Sequence, residues 1–173
     1  MIPDRSVAVI IAAYNVAPTI GDAVRSALDQ PETAEVVVVD DASSDATAAV
    51  VYVIAREDPR VTLIRQPING GPARARNLAI EATTSPFIAI LDGDDILLPG
   101  RFTAMFAEPD WDFCADNIVF FTRFDQIEAI RRSFADGPSQ AMELDFTSFV
   151  DGNIPRHGKP RGELGFLKPV MRR

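Results

Sequence analysis

Residues 7–39 read VAVIIAAYNVAPTIGDAVRSALDQPETAEVVVV. The run at 7–12 is apolar and largely β-branched without alternation, the pattern of a strand buried on both faces. Over 19–30 the period changes, and Ile20, Ala23, Val24, Ala27 and Leu28 recur at steps of three and four. That spacing is one apolar stripe of a helix. Thr19 with Asp22 three residues on matches a capping box that opens it. Residues 35–39 return to an unbroken apolar run. Strand, helix and buried strand make a βαβ unit, and the fold class is α/β with a mostly parallel sheet covered on both faces.

The same unit repeats outward from this stretch. Ser44 is placed to cap a helix over 45–56, and 61–64 forms a third strand. Pro72 suits the first position of a helix reaching about residue 82, and 87–91 is a fourth strand. Past residue 92 the rhythm changes. A short helix is expected at 99–108, a strand at 113–122, a return strand at 123–134 and a helix at 146–150 capped by Asp145. Residues 151–173 carry Gly, Pro and charge with little periodicity and read as an irregular tail. The division expected is an α/β core at 1–122 and a second segment at 123–173.

The composition removes several function classes. The 173 residues carry a net charge of −8, with 47% hydrophobic and 24% charged residues, which is ordinary for a folded globular chain. The acidic balance argues against a general nucleic-acid binder. One cysteine, Cys114, leaves no internal disulfide and no cysteine-based zinc site, and one histidine, His157, leaves no multi-histidine metal site. The only lysines are Lys159 and Lys168. A P-loop, a Schiff-base lysine or the lysine of a phosphoacceptor receiver pocket is therefore absent from the first 158 residues. The longest apolar runs, 7–13 and 48–55, fall well short of the roughly 18 residues of a spanning helix. Tyr14-Asn15 follows the first run where a signal peptide would have small residues. The chain is expected to be cytoplasmic.

Every strand of the first half ends in a polar cluster. These are Tyr14-Asn15, Asp40-Asp41, Asn69-Gly70-Gly71 and Asp92-Gly93-Asp94-Asp95. Parallel strands bring those ends to one edge, where open α/β sheets bind ligands. The fourth cluster is the sharpest, because three carboxylates in four residues repel one another unless a cation or an arginine neutralises them. Two readings stay open on spacing alone: a hard divalent ion held by carboxylate oxygens, or a solvated turn of helix-capping aspartates. Gly93 allows a close backbone approach or an unusual backbone angle. Asp40 is expected to turn inward, and Asp41 to accept a base N–H or a ribose hydroxyl. Arg74 and Arg76 lie in the first turns of the third helix, where cations are unfavourable unless an anion sits nearby. A ligand phosphate or Asp41 could be that anion, with Arg74 the better candidate for a solvent-facing residue. His157 reads as structural or solvent-exposed and Cys114 as a core thiol; Phe120, Phe121 and Phe124 could floor a pocket, though packing is the commoner use, and Arg172-Arg173 form no pattern.

In order and spacing, 6–15 (SVAVIIAAYN), 35–45 (EVVVVDDASSD), 69–79 (NGGPARARNLA) and 87–101 (FIAILDGDDILLPGR) resemble the family 2 glycosyltransferases. Residues 166–169 (FLKP) extend the resemblance toward bacterial exopolysaccharide enzymes of the succinoglycan glucosyltransferase kind. The resemblance implies the GT-A fold, with the acidic run as its DXD motif. It also implies an inverting hexosyltransferase using a nucleotide-sugar, with UDP the usual nucleotide, in polysaccharide assembly. Ala12, Tyr14, Asp41 and Arg76 would meet the nucleotide, and Asp92 the ribose or metal. Asp94 with Asp92 would hold Mn²⁺ or Mg²⁺. The acceptor would be a saccharide or a lipid-linked saccharide, the latter with peripheral attachment at the inner membrane. The family's catalytic base stands later than anything matched here. Glu57-Asp58 precedes the acidic motif, and Glu143, Asp145, Asp151 and Glu163 stand in no matching context. The expectation is a donor-binding N-terminal part whose general base lies beyond Arg173, with a non-catalytic nucleotide-sugar-binding domain as the alternative. A dinucleotide oxidoreductase is excluded, since 12–18 lacks any Gly, and a sugar nucleotidyltransferase would want Lys-bearing phosphate contacts.

Overall fold

The computed structural model describes residues 4–108, 111–114, 119–120, 131–132 and 170–173. The chain divides into two compact units, Met1–Cys114 with Pro169–Arg173, and Ala115–Lys168. The first unit contains β1 (Val7–Ala13), α1 (Ile20–Leu28), β2 (Thr33–Asp40), α2 (Thr47–Glu57), β3 (Val61–Arg65), α3 (Pro72–Glu81), β4 (Phe87–Asp92), α4 (Arg101–Met105) and β5 (Phe113–Cys114). In the second unit, the described residues form β6 (Val119–Phe120) paired antiparallel with β7 (Arg131–Arg132). Strand β8 (Val170–Arg172) returns to the first unit.

Among the described residues six strands form the sheet, in the order β3-β2-β1-β4-β8-β5. The first four run parallel, and β8 pairs antiparallel with both β4 and β5. The central strands alternate between two cores. Val7, Val9, Ile11, Val36, Val38, Ala89 and Leu91 face the larger one with α1, α2 and α4. Ile10, Val37, Val39 and Ile88 face the smaller one with Ala75 and Ala79 of α3. A period of two with both faces apolar is what produced the unbroken runs in the sequence. The chain steps from β1 outward to β2 and β3, and α3 then crosses the other face to place β4 on the far side of β1. A topological switch point therefore falls between β1 and β4, where such sheets open a crevice.

Several local expectations are corrected. Thr19 stands at the N-cap of α1 but makes no side-chain cap; its hydroxyl donates instead to the Gly93 carbonyl at 2.9 Å. Ser44 does not cap α2, which starts at Thr47; Asp45 Oδ1 accepts the Thr47 N–H at 2.9 Å and so supplies the carboxylate. The helix expected at 99–108 spans only Arg101–Met105, entered from Gly100 at φ +73°. The end of the expected irregular tail is a strand, because the unpaired edge of β4 offers a ladder that Val170–Arg172 fills with Val170 fully buried. The boundary at 122–123, the helix at 146–150 and most of the strands at 113–134 lie outside the described residues.

At the edge of the sheet where the strands begin, Glu35 of β2 clamps the turn before β4. Its Oε1 accepts the Ser85 N–H at 2.8 Å, the Ser85 hydroxyl at 2.7 Å and the Thr84 N–H at 3.0 Å. Burial opposes ionisation, yet the donors of Ser85 and Thr84 outweigh it and hold the Glu35 carboxyl below its ordinary pKa. Asp45 is lowered by the Thr47 hydroxyl and Asp58 by the Arg60 guanidinium. Carboxyls depressed in the folded state stabilise it above their unfolded pKa, about 4, and lose that contribution as pH falls through the folded values. The melting midpoint should therefore be flat near neutrality and fall steadily below pH of about 4. Glu35→Gln should make that fall shallower, and an unchanged slope would count against the clamp.

Candidate active site

The register places the polar strand ends on one edge. Ala12 pairs with Val39 on one side and Asp92 on the other, while Ala13 pairs with Asp40 and Asp40 with Arg65. Beyond that row the loops after β1 and β2 are stitched together. Asn15 N–H donates to Ser43 Oγ at 3.0 Å, and Asn15 Oδ1 accepts the Ser44 N–H at 2.8 Å. Val16 N–H reaches Thr47 Oγ1 at 2.9 Å, and Ala17 N–H reaches Asp45 Oδ2 at 3.1 Å. Asn15 takes φ +52° and Ala42 φ +61°, left-handed backbone that Asn tolerates and Ala does not favour. Tyr14, directly before Asn15, is 52% exposed.

The two aspartates at the end of β2 diverge, Asp40 turning inward as expected. Asp40 is fully buried; its Oδ1 accepts the Ser43 N–H at 3.3 Å, and its Oδ2 lies 3.5 Å from Arg65 Nε. Asp41 turns to the loop after β3. Its Oδ1 accepts Gln66 Nε2 at 2.7 Å and the Gly70 N–H at 2.8 Å, and its Oδ2 accepts the Gly71 N–H at 2.7 Å. Gly71 sits at φ +84° immediately before Pro72, so Asp41 places a negative charge at the start of α3. Asp41 is thus one anion at that helix terminus, bound to its backbone rather than to an arginine.

Arg76 has a different partner. Its Nη2 lies 2.9 Å from Asp92 Oδ1, with both side chains 31% exposed. Arg74 is exposed. The acidic loop after β4 gathers Asp92, Asp94 and Asp95, each with one carboxylate oxygen within 4.8 Å of the others. Gly93 between them is needed for close approach, since a Cβ there would meet Val16 Cγ2 at 2.9 Å and Ile20 Cδ1 at 3.3 Å. Three carboxylate oxygens at that spacing suit a hard divalent cation, Mg²⁺ or Mn²⁺, rather than a soft one. The residues fit the metal that the GT-A fold implies, with Asp92 shared between that position and Arg76.

The Glycosyl transferase family 2 model matches residues 8–133. The chain belongs to glycosyltransferase family 2. It is 46% identical over 167 residues to the succinoglycan biosynthesis protein ExoU of Rhizobium meliloti (strain 1021), covering 96% of this chain and 48% of that protein. The chain spans about half the length of the curated relatives it matches. Among solved structures, the mannosyltransferase PcManGT from Pyrobaculum calidifontis, in complex with GDP-Man and Mn²⁺, matches at 27% identity and TM-score 0.57. That match covers 73% of this chain and 39% of PcManGT. S. aureus TarS 1-349 in complex with UDP-GlcNAc matches at 29% identity and TM-score 0.54, over 59% of this chain and 30% of TarS. The sheet is the GT-A core of those glycosyltransferases.

Within that core the strand ends bring Ala12, Tyr14, Asp41, Asp92 and Asp94 to one edge, and Arg76 reaches it from α3. Glu57-Asp58 lies elsewhere, at the end of α2 beside the entry to β3, where Asp58 Oδ2 pairs with Arg60 Nη2 at 2.7 Å. That is the opposite edge of the sheet from the polar strand ends. Glu143, Asp145, Asp151, Glu163 and His157 lie outside the described residues. Cys114 packs against the larger core. Gln66, one position after β3, carries no signal in the sequence; its side chain bonds Asp41.

Proposed function

We propose that this chain binds the nucleotide-sugar donor of an inverting family 2 hexosyltransferase, a UDP-hexose, together with Mn²⁺ or Mg²⁺. The observation that carries the reading is the acidic triad at the switch point, with Arg76 paired to its first member. Tyr14 offers an exposed side chain on which a base would stack, and Ala12 would line the base from the end of β1. Asp41 Oδ2 keeps one acceptor direction for a base N–H. Asp92 and Asp94 would hold the metal, which when bound acts as a Lewis acid on the departing nucleoside diphosphate. Arg76 would then turn its remaining N–H groups to the diphosphate, a pairing suited to a guanidinium fork.

The acceptor is a saccharide or lipid-linked saccharide in polysaccharide assembly, reached from the cytoplasmic side with the enzyme peripheral to the inner membrane. The unit Met1–Cys114 with Pro169–Arg173 would form the donor core, and Ala115–Lys168 would contribute to the acceptor side. A carboxylate base must deprotonate the acceptor hydroxyl, and we place it outside the residues described here. Among the described residues no helix is long and apolar enough to cross a membrane.

Calorimetric titration with UDP, with and without Mn²⁺, tests this directly. Mn²⁺ should strengthen UDP binding by the wild type, and Asp94→Ala should bind at the metal-free level in both conditions. Equal metal enhancement in the two proteins, or no UDP binding by the wild type, would sink the reading.

A further inference from the structure

Gln66 follows β3 directly, and its backbone N–H donates to the Asp40 carbonyl at 2.9 Å, adding one rung to the β2–β3 ladder. The residue is only 7% exposed. A buried primary amide is costly without partners, and here Nε2 donates to Asp41 Oδ1 at 2.7 Å. An ionised carboxylate only accepts, so nitrogen and not oxygen must face it. With the Gly70 N–H at 2.8 Å on the same oxygen, Oδ1 is filled. Oδ2 has accepted one bond, from Gly71, and retains one lone pair. Of the three donors, the two glycine amides belong to the loop itself. Gln66 alone is buried and tied to the sheet, so it fixes the plane of the carboxylate against the rigid part of the molecule.

We infer that Gln66 is a positioning and specificity-determining residue: it aims Asp41 Oδ2 at a ring N–H of the nucleobase. Such a carboxylate selects a base with an imide edge, an N–H between two carbonyls, as in uracil. Cytosine has no hydrogen on that ring nitrogen, and its amine lies to one side. The inference rests on the proposed role of Asp41 as the acceptor for the base.

The test compares UDP and CDP binding by calorimetry in saturating Mn²⁺. The wild type should prefer UDP. Gln66→Met, close in size but without a donor, should narrow the preference about tenfold by weakening UDP, as expected for loss of a hydrogen bond to a charged group. Its Mn²⁺ dependence should remain. Gln66→Glu, of equal length with an acceptor in place of the donor, should narrow it at least as much, and supplies the comparison if the first variant does not fold. An unchanged ratio, or equal weakening of both nucleotides, would show Gln66 to be merely structural and overturn the inference. A wild type that does not separate UDP from CDP removes the role of Asp41, and this inference with it. A wild type that discriminates, beside variants that discriminate equally well, removes Gln66 alone.

Discussion

Asp41→Ala should lower stability by about 3 kcal/mol and abolish nucleotide binding together. The carboxylate accepts three hydrogen bonds, from Gln66, Gly70 and Gly71. Bonds to a charged group contribute roughly 1.5–3 kcal/mol, and a buried donor left without a partner adds a desolvation cost. Gly70 is exposed, so water replaces its partner, whereas the Gln66 amide is buried and has no such replacement. For a chain of this size the melting midpoint should drop by about 6–12 °C. The binding loss follows by a separate route. Asp41 holds the two residues before Pro72 and so sets where α3 begins, and Arg76 rides on the second turn of that helix. Thermal melts with UDP titrations measure both effects. A midpoint within a degree or two of wild type would show that the loop after β3 keeps its position without the carboxylate.

Phe102→Ala should cost more in stability, about 3–5 kcal/mol, or about 6–20 °C in melting midpoint. Phe102 is fully buried and the largest such side chain among the described residues. It fills the larger core beneath α4, the short helix that follows the acidic loop. That loop is held at one end by Gly93 packed on Val16 and Ile20. At the other end Leu97 N–H donates to Ser26 Oγ at 3.0 Å, and Leu98 O accepts Gln30 Nε2 at 3.0 Å. Emptying the core under α4 should loosen this second anchor, so Mn²⁺ affinity should fall alongside stability. Phe102→Leu should recover most of the stability. If Phe102→Ala melts like wild type, α4 is not an anchor of the acidic loop.

The sheet was legible because its evidence is local. Val36–Val39 and Ile88–Leu91 alternate between two apolar environments, so each strand announced itself as an unbroken run without knowledge of its neighbours. The polar strand ends were legible for the same reason. Partners across the chain were not. Thr19 and Asp22 have the spacing of a capping box, but the Gly93 carbonyl, 74 residues away, takes the hydroxyl. For Arg76 the sequence offers a ligand phosphate or Asp41 as the anion, whereas Asp92 comes within reach only once β4 lies beside β1. Gln66 escaped notice because its partner is 25 residues away and a single glutamine beyond a strand carries no pattern. Val170–Arg172 is too short to show a period, and it becomes a strand only because β4 leaves an edge to fill.

Cys114 and Val170 are ladder partners, so the chain leaves the sheet and re-enters it at the same rung. Residues 115–168 are thereby an excursion closed at its base. Closing such an excursion costs little more as it grows, about 0.6 kcal/mol per doubling of length. The sheet can accordingly tolerate replacement, enlargement or trimming of that excursion with little entropic penalty. Exchanging that one cassette then need not disturb the register of the four parallel strands or the polar ends they carry.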